Sequence, residues 1–172
     1  MQRTPVLVAP STAGTSEREP RETHRPGVVW PVVAMLALVA TGLPAGISFM
    51  TDPSGAGLGA KLSWLERTPV SDFFWPGVFL FLVYGIGGIL LIVGLVWRPA
   101  PGPLQRLDRS LGHHWAWAGT IAMGIVLVAW VTYELLVLPE TMTLQYVMIG
   151  MGLLLAVLPL LPSMRRWYAI RR

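Results

Sequence analysis

Apolar residues along the 172-residue chain are concentrated in four blocks, at residues 28–50, 73–97, 115–138 and 143–161. A helix that crosses the roughly 30 Å core of a bilayer needs about 20 apolar residues, and each block is close to or above that length. Glu134 is the one Asp, Glu, Lys or Arg residue inside the four blocks. The pattern therefore predicts an all-α integral membrane protein, a bundle of four transmembrane helices.

The polar segments at the two ends of the chain set the boundaries of this transmembrane domain, which we expect to cover residues 28–168. Residues 1–27 are rich in Pro, Ser, Thr, Glu and Arg without periodic apolar positions, which is typical of a disordered tail. Residues 169–172 form a short basic end. The first block is longer than the core of a signal peptide, and Pro44 spoils its best cleavage site, so we expect a retained helix.

The composition supports the membrane assignment and excludes several other classes. Only 13% of the residues are charged, whereas a soluble domain carries about 25%. The mean hydropathy is +0.58, and the basic residues do not lie along one amphipathic face, so neither a disordered chain nor a nucleic-acid binder is expected. The chain has no cysteine, which excludes disulfides and thiolate metal sites.

The distribution of basic residues predicts the orientation of the chain. Eleven of the 13 Lys and Arg residues fall in the N-terminal tail, in residues 98–109 or at the C-terminus, while the opposite side has only Lys61 and Arg67. Because basic residues favour the cytoplasmic flanks, both termini are expected in the cytoplasm. Arginine outnumbers lysine 12 to 1, which suggests a GC-rich bacterial coding sequence. The expected location is the bacterial inner membrane.

The first outer loop, residues 51–72, has the most distinctive sequence. It opens with an Asp-Pro-Ser-Gly turn signature, in which Asp52 can accept hydrogen bonds from nearby backbone amides. Leu58, Leu62 and Leu65 then recur at helical spacing, which predicts a short interfacial helix.

Two interpretations of the polar residues in this loop stay open. In the functional one, the loop is a lid or binding surface made of Asp52, Glu66, Arg67 and Asp72. In the structural one, Glu66 and Arg67 are solvated and the remaining polar residues cap helices. Thr68 would then be an N-cap before Pro69, and Ser71 and Asp72 would cap the second span.

Glu134 is the strongest candidate for a functional residue within the membrane. It lies about 6 Å inside the outer boundary, on a face that overlaps a stripe of small residues, so we expect it to point into the bundle. Intramembrane acids are often proton or cation sites. The alternative is a structural acid that bonds Tyr133, Tyr146 or an outer-loop amide.

Small residues at four-residue spacing predict close helix packing, as at Gly42 and Gly46 or at Thr120 and Gly124. This packing can be within the chain or with a second copy.

His113 and His114 form an interfacial pair, and haem is not expected because the only other histidine, His24, lies in the tail. The sequence predicts no catalytic residue, cofactor or metal.

Three motifs resemble those of a family of small bacterial four-helix membrane proteins of uncharacterised function. They are residues 52–59 (DPSGAGLG), 68–73 (TPVSDF) and 114–119 (HWAWAG). The resemblance implies the same four-helix membrane fold and transfers no activity.

Three functions are therefore considered. The first is a non-catalytic accessory, assembly or partner-binding membrane subunit. The second is a small homo-oligomeric transporter or channel that uses Glu134 as a proton or cation site. The third, least favoured, is an enzyme at the outer surface that uses Asp52, Glu66 and Asp72. The expected partners are the lipid bilayer, a further membrane protein or a second copy of the chain.

Overall fold

The computed structural model describes residues 26–98 and 113–162, with side chains from Val29 onward. In these ranges four helices are long and apolar enough to cross a membrane, and no β-strand is present. The helices are α1 (Pro26–Thr51), α2 (Phe74–Trp97), α3 (Trp115–Val137) and α4 (Thr143–Leu160, whose last turn is a 3-10 helix).

These helices confirm the four predicted spans, and the bounds agree within two residues. Large apolar side chains such as Leu36, Leu90 and Leu153 are exposed on the outside of the bundle. A surface of this kind is stable only against lipid, so the chain is a multi-pass membrane protein in contact with the bilayer. The expected disordered tail and the basic end lie outside the described residues, apart from the start of α1.

The bundle is built from two helical hairpins. Helix α1 packs along the whole of α2, and α3 packs along α4, while the main contact between the hairpins joins the second half of α2 to α3. The α1–α2 loop and the α3–α4 turn lie at the same end of the bundle, where Lys61 and Glu140 meet. We call this end the loop end.

Glycines allow the close approach of the helices within each hairpin. A Cβ atom placed on Gly46 of α1 would lie 2.6 Å from the backbone nitrogen of Phe81 in α2. A Cβ atom placed on Gly124 of α3 would lie 2.5 Å from the backbone of both Gly152 and Ala156 in α4. These predicted small-residue positions are therefore used for packing within the chain.

The α1–α2 loop differs from the single amphipathic helix that the leucine spacing predicted. It has two short 3-10 turns, Ala56–Leu58 and Leu62–Leu65. Leu58 and Leu62 are 49% and 48% exposed, and only Leu65 is buried. The backbone is left-handed at Gly55, just before the first turn, and at Gly59, just after it, so a continuous helix cannot form there.

Helix α2 contains a π-helical segment at Leu80–Gly87. Wider turns of this kind are rare in proteins and are frequently found at functional sites. Tyr84 lies in this segment and packs on α1 at Gly42, where an added Cβ atom would be 2.7 Å from the Tyr84 Cβ atom. The segment thus sets the position of the Tyr84 side chain relative to α1.

Candidate functional site

A cavity of about 520 Å³ lies between the two hairpins and extends from the loop end into the bundle. All four helices and the α1–α2 loop contribute to its walls. Its volume falls in the range of small-molecule sites, and most of its lining is apolar. The cavity is therefore the best candidate site in the part of the chain that the structure describes.

Aromatic side chains form much of the wall. Eight of the chain's 17 Phe, Trp and Tyr residues line the cavity: Phe49, Trp64, Phe73, Trp75, Phe79, Tyr84, Trp130 and Tyr133. Phe79 of α2 and Trp130 of α3 stack with their ring centroids 4.2 Å apart, which joins the two hairpins. This stack holds an aromatic surface against the cavity without closing it.

Glu134 faces this cavity, which confirms the expectation that it points into the bundle. Its half-buried carboxyl group lies beside the indole of Trp130 and the side-chain amide of Gln145. These two partners replace the expected ones, Tyr133, Tyr146 or a loop amide. The physical reason is that Trp130 lies one helical turn before Glu134, while α4 brings Gln145 to the same place.

Gln145 is fixed for this contact. It is 7% exposed, and its Oε1 atom accepts a hydrogen bond of 2.9 Å from the backbone nitrogen of Met142 at the start of α4. Because the carbonyl oxygen is engaged in this way, the amide NH₂ group is the one available to donate to Glu134. The start of α4 thereby holds a donor beside the carboxyl group.

Tyr84 is a second polar group in the wall of the cavity. It is 3% exposed, and its hydroxyl group has no hydrogen-bond partner among the described residues. Tyr84 and Glu134 are near enough to interact electrostatically. Buried hydroxyl groups in proteins usually have a partner, so an unpaired one in a cavity wall indicates a contact that another molecule can make.

The charge of the cavity is one-sided. Glu134 is the only Asp, Glu, Lys, Arg or His among the described residues that line it. An intramembrane acid normally has a basic partner or faces a water-filled path. Here the walls supply hydrogen-bond donors and no cation.

The α1–α2 loop covers the loop end of the cavity. Phe73 stacks on Phe49 with centroids 4.9 Å apart, and its backbone nitrogen donates to the carbonyl oxygen of Pro53. Lys61 reaches across to Glu140 on the α3–α4 turn at 3.6 Å. Both charged groups are well exposed, so this ion pair adds little stability, although it links the loop to the second hairpin.

Asp52 organises this loop from its first residues, as the turn signature predicted. Its carboxylate accepts hydrogen bonds from the Ser54 hydroxyl group at 2.6 Å and from the backbone nitrogens of Ser54 and Gly57. The bond from Ser54 and the bond from Gly57 lower the pKa of Asp52 below its usual value. The contribution of this carboxylate to loop stability is therefore present at neutral pH and is lost as the pH falls through the lowered pKa.

The other loop residues take local roles. Asp72 accepts a hydrogen bond of 3.0 Å from the Phe74 nitrogen at the start of α2, as expected of a cap. The prediction of Thr68 as an N-cap is wrong, because no helix begins at Pro69 and the next one starts at Phe74. The Thr68 hydroxyl group donates to the carbonyl oxygen of Leu65 at 2.8 Å and accepts from the Val70 nitrogen at 3.4 Å. Glu66 and Arg67 are exposed. The structure thus places Glu134 alone at the cavity and does not gather the four candidate acids into one site.

The histidine pair lies at the opposite end of the bundle. His114 caps α3 by accepting a hydrogen bond from the Ala116 nitrogen at its Nδ1 atom, and His113 stacks on Trp117. Among residues 26–98 and 113–162, no group of three His, Asp or Glu side chains could hold a metal ion.

Sequence reasoning missed Tyr84 and Gln145, although each carries a signal. Tyr84 lies near the middle of its span, whereas tyrosines in membrane helices favour the interfaces. Gln145 is the only glutamine inside a span.

Comparisons with protein-family models, curated proteins and solved structures gave no match. The family resemblance of the three motifs stays a prediction.

Proposed function

We propose that this protein is a non-catalytic membrane protein that binds a lipophilic small molecule in the cavity between its two hairpins. The observation that carries the proposal is the cavity itself, which is apolar, of ligand size and equipped with a few polar groups. The cavity specifies the partner in the partner-binding hypothesis: the partner is a small molecule that enters from the bilayer or through the loop end. None of the three acids expected of an outer-surface enzyme lines the cavity.

Filling the cavity tests this proposal. Ala45 of α1 lines the cavity, and Ala40 lies on the same helix with its side chain exposed outside it. We expect Ala45→Phe to weaken binding of the neutral fluorescent probe N-phenyl-1-naphthylamine by roughly tenfold or more, because the added ring occupies the space of the ligand. Ala40→Phe should bind the probe like the wild type.

Purification of both variants in mild detergent provides the readout, with fluorescence titration and a native mass for each particle. A native mass also reports a co-purifying protein or a second copy of the chain. Equal probe affinity in the wild type and Ala45→Phe would contradict the proposed site.

Transport is the second candidate function, and Glu134 favours it. A lone acid in a cavity that begins at one end of a membrane bundle is a suitable proton or cation site. The two candidates differ in one measurement, since a transporter moves its bound cation across a proteoliposome membrane and a binding protein does not. Loss of such flux in Glu134→Gln at unchanged protein abundance would favour transport.

We further propose that both termini are cytoplasmic and that the membrane is the bacterial inner membrane. The basic residues of the polar segments support this orientation. Cytoplasmic reporters fused after Arg172 or within residues 99–109 should be active, and one within residues 55–61 should be inactive. The inverse pattern would place the loop end of the cavity in the cytoplasm.

A further inference from the structure

We infer that the cavity takes a lipophilic organic cation, whose positive charge is held at Glu134. This inference rests on the proposed function and adds the chemical class of the ligand. It follows from two independent features of the cavity: its one-sided charge and its aromatic walls.

The first feature is the unmatched carboxyl group. Glu134 is half-buried in an apolar cavity, and none of the described lining residues is basic. A carboxylate in such surroundings is stable when a cation accompanies it. Trp130 and Gln145 lie beside the group and bring no positive charge, so an ionised Glu134 leaves a positive charge to be supplied by the occupant of the cavity.

The second feature is the type of wall beside the carboxyl group. Trp130 and Tyr133 precede Glu134 on α3 and line the same cavity, and the Trp130 ring is held by its stack on Phe79. The faces of such rings attract cations, and aromatic walls beside an acid favour ammonium-type groups over neutral or anionic ones. The remaining apolar wall suits the hydrocarbon part of the same molecule.

The inference excludes two simpler occupants. A small hydrated metal ion needs several oxygen ligands and favours carboxylates, and Glu134 is the one carboxylate among the described lining residues, whose other polar groups are neutral hydroxyl and amide groups. A lipid anion would bring a negative charge towards Glu134, which is unfavourable in an apolar site. A hydrophobic cation matches the carboxyl group and the walls together.

Two probes of nearly the same shape and opposite charge test the inference. The tetraphenylphosphonium cation and the tetraphenylborate anion are titrated against the full-length protein in detergent, with tryptophan fluorescence as the readout. We expect the ratio of cation to anion affinity to be roughly tenfold or more higher in the wild type than in Glu134→Gln. Comparing this ratio between variants cancels the partition of each probe into detergent.

Glu140→Gln is the matched control, because Glu140 is an exposed acid at the same end of the bundle and does not line the cavity. It should keep the wild-type ratio. Binding of N-phenyl-1-naphthylamine to Glu134→Gln shows that this variant keeps its cavity.

The outcomes separate this inference from the proposed function. If Glu134→Gln keeps both the neutral probe and the wild-type ratio, the cavity binds lipophiles without regard to charge, and only the inference is overturned. If Glu140→Gln lowers the ratio as much as Glu134→Gln, the preference arises from surface charge and the inference is again overturned. If neither the neutral probe nor the cation binds the wild type, the proposed function fails with it.

Discussion

Replacing Gly124 by valine will force α3 away from α4 and destabilise the second hairpin by about 3 kcal/mol. The reason is that the new side chain meets backbone. A Cβ atom at this position would lie 2.5 Å from the Ala156 nitrogen and from the Gly152 oxygen, and no change of rotamer can relieve a contact with main-chain atoms. Thermal unfolding of the purified protein in detergent, followed by the loss of the monodisperse peak, measures the effect.

Gly150→Ala is the matched control for this prediction. Gly150 lies in α4 two residues before Gly152, and an added Cβ atom would meet nothing within 4 Å. Because alanine is a better helix former than glycine, this variant should unfold at the wild-type temperature or above it. If Gly124→Val unfolds at the same temperature as the wild type, α3 and α4 do not pack at Gly124 and Gly152 as described.

The transmembrane helices were predictable because the lipid makes length and hydrophobicity decisive. A stretch such as residues 73–97, with no charge in 25 residues, has few alternatives to a spanning helix. The small residues at Gly42, Gly46 and Gly124 also indicated where helices approach closely. Both signals are local in the sequence, and neither depends on which helices become neighbours.

The α1–α2 loop was less predictable because its periodicity is misleading. Leu58, Leu62 and Leu65 have helical spacing, but left-handed backbone at Gly55 precedes the first turn and left-handed backbone at Gly59 separates it from the second. The role of Asp52 as a hydrogen-bond acceptor was predicted correctly, because the backbone nitrogens that donate to it lie only two and five positions ahead. Short-range chemistry could therefore be deduced, while the path of the whole loop could not.

For the candidate site, the sequence indicated Glu134 and its inward orientation, but not its neighbours. Gln145 reaches Glu134 because α4 returns beside α3, and Tyr84 reaches the cavity from the other hairpin. Such contacts depend on the relative rotation of helices that are far apart in sequence. The π-helical segment adds to the difficulty, because it shifts the face on which Tyr84 lies relative to a regular helix.

The cavity follows from a difference in side-chain size between two kinds of helix contact. Within each hairpin, glycines bring backbones together, as Gly46 does with Phe81 and Gly124 with Gly152. Between the hairpins at the loop end, the contact is made by the rings of Phe79 and Trp130. Large rings hold the helices apart where they meet and leave space beside them, so a tightly packed pair of hairpins encloses an open volume.

Removing the hydroxyl group of Tyr84 should stabilise the ligand-free protein by about 1 kcal/mol. The hydroxyl group is buried and has no partner among the described residues, so Tyr84→Phe removes an unsatisfied polar group and keeps the ring. The ring contact with Phe79, at a centroid distance of 5.5 Å, needs no hydroxyl group and should persist. Thermal unfolding in detergent without added ligand measures this gain.

Tyr146→Phe is the control, because Tyr146 is 60% exposed and its hydroxyl group is not confined in the cavity. It should leave the unfolding temperature unchanged. A lower unfolding temperature in Tyr84→Phe would mean that the hydroxyl group already bonds a molecule retained in the cavity, which native mass measurement of the wild type and the variant would identify. A higher unfolding temperature in Tyr84→Phe would instead show that the Tyr84 hydroxyl group destabilises the protein when the cavity is empty. This is expected of a polar group that has a hydrogen-bond partner only when the cavity is occupied.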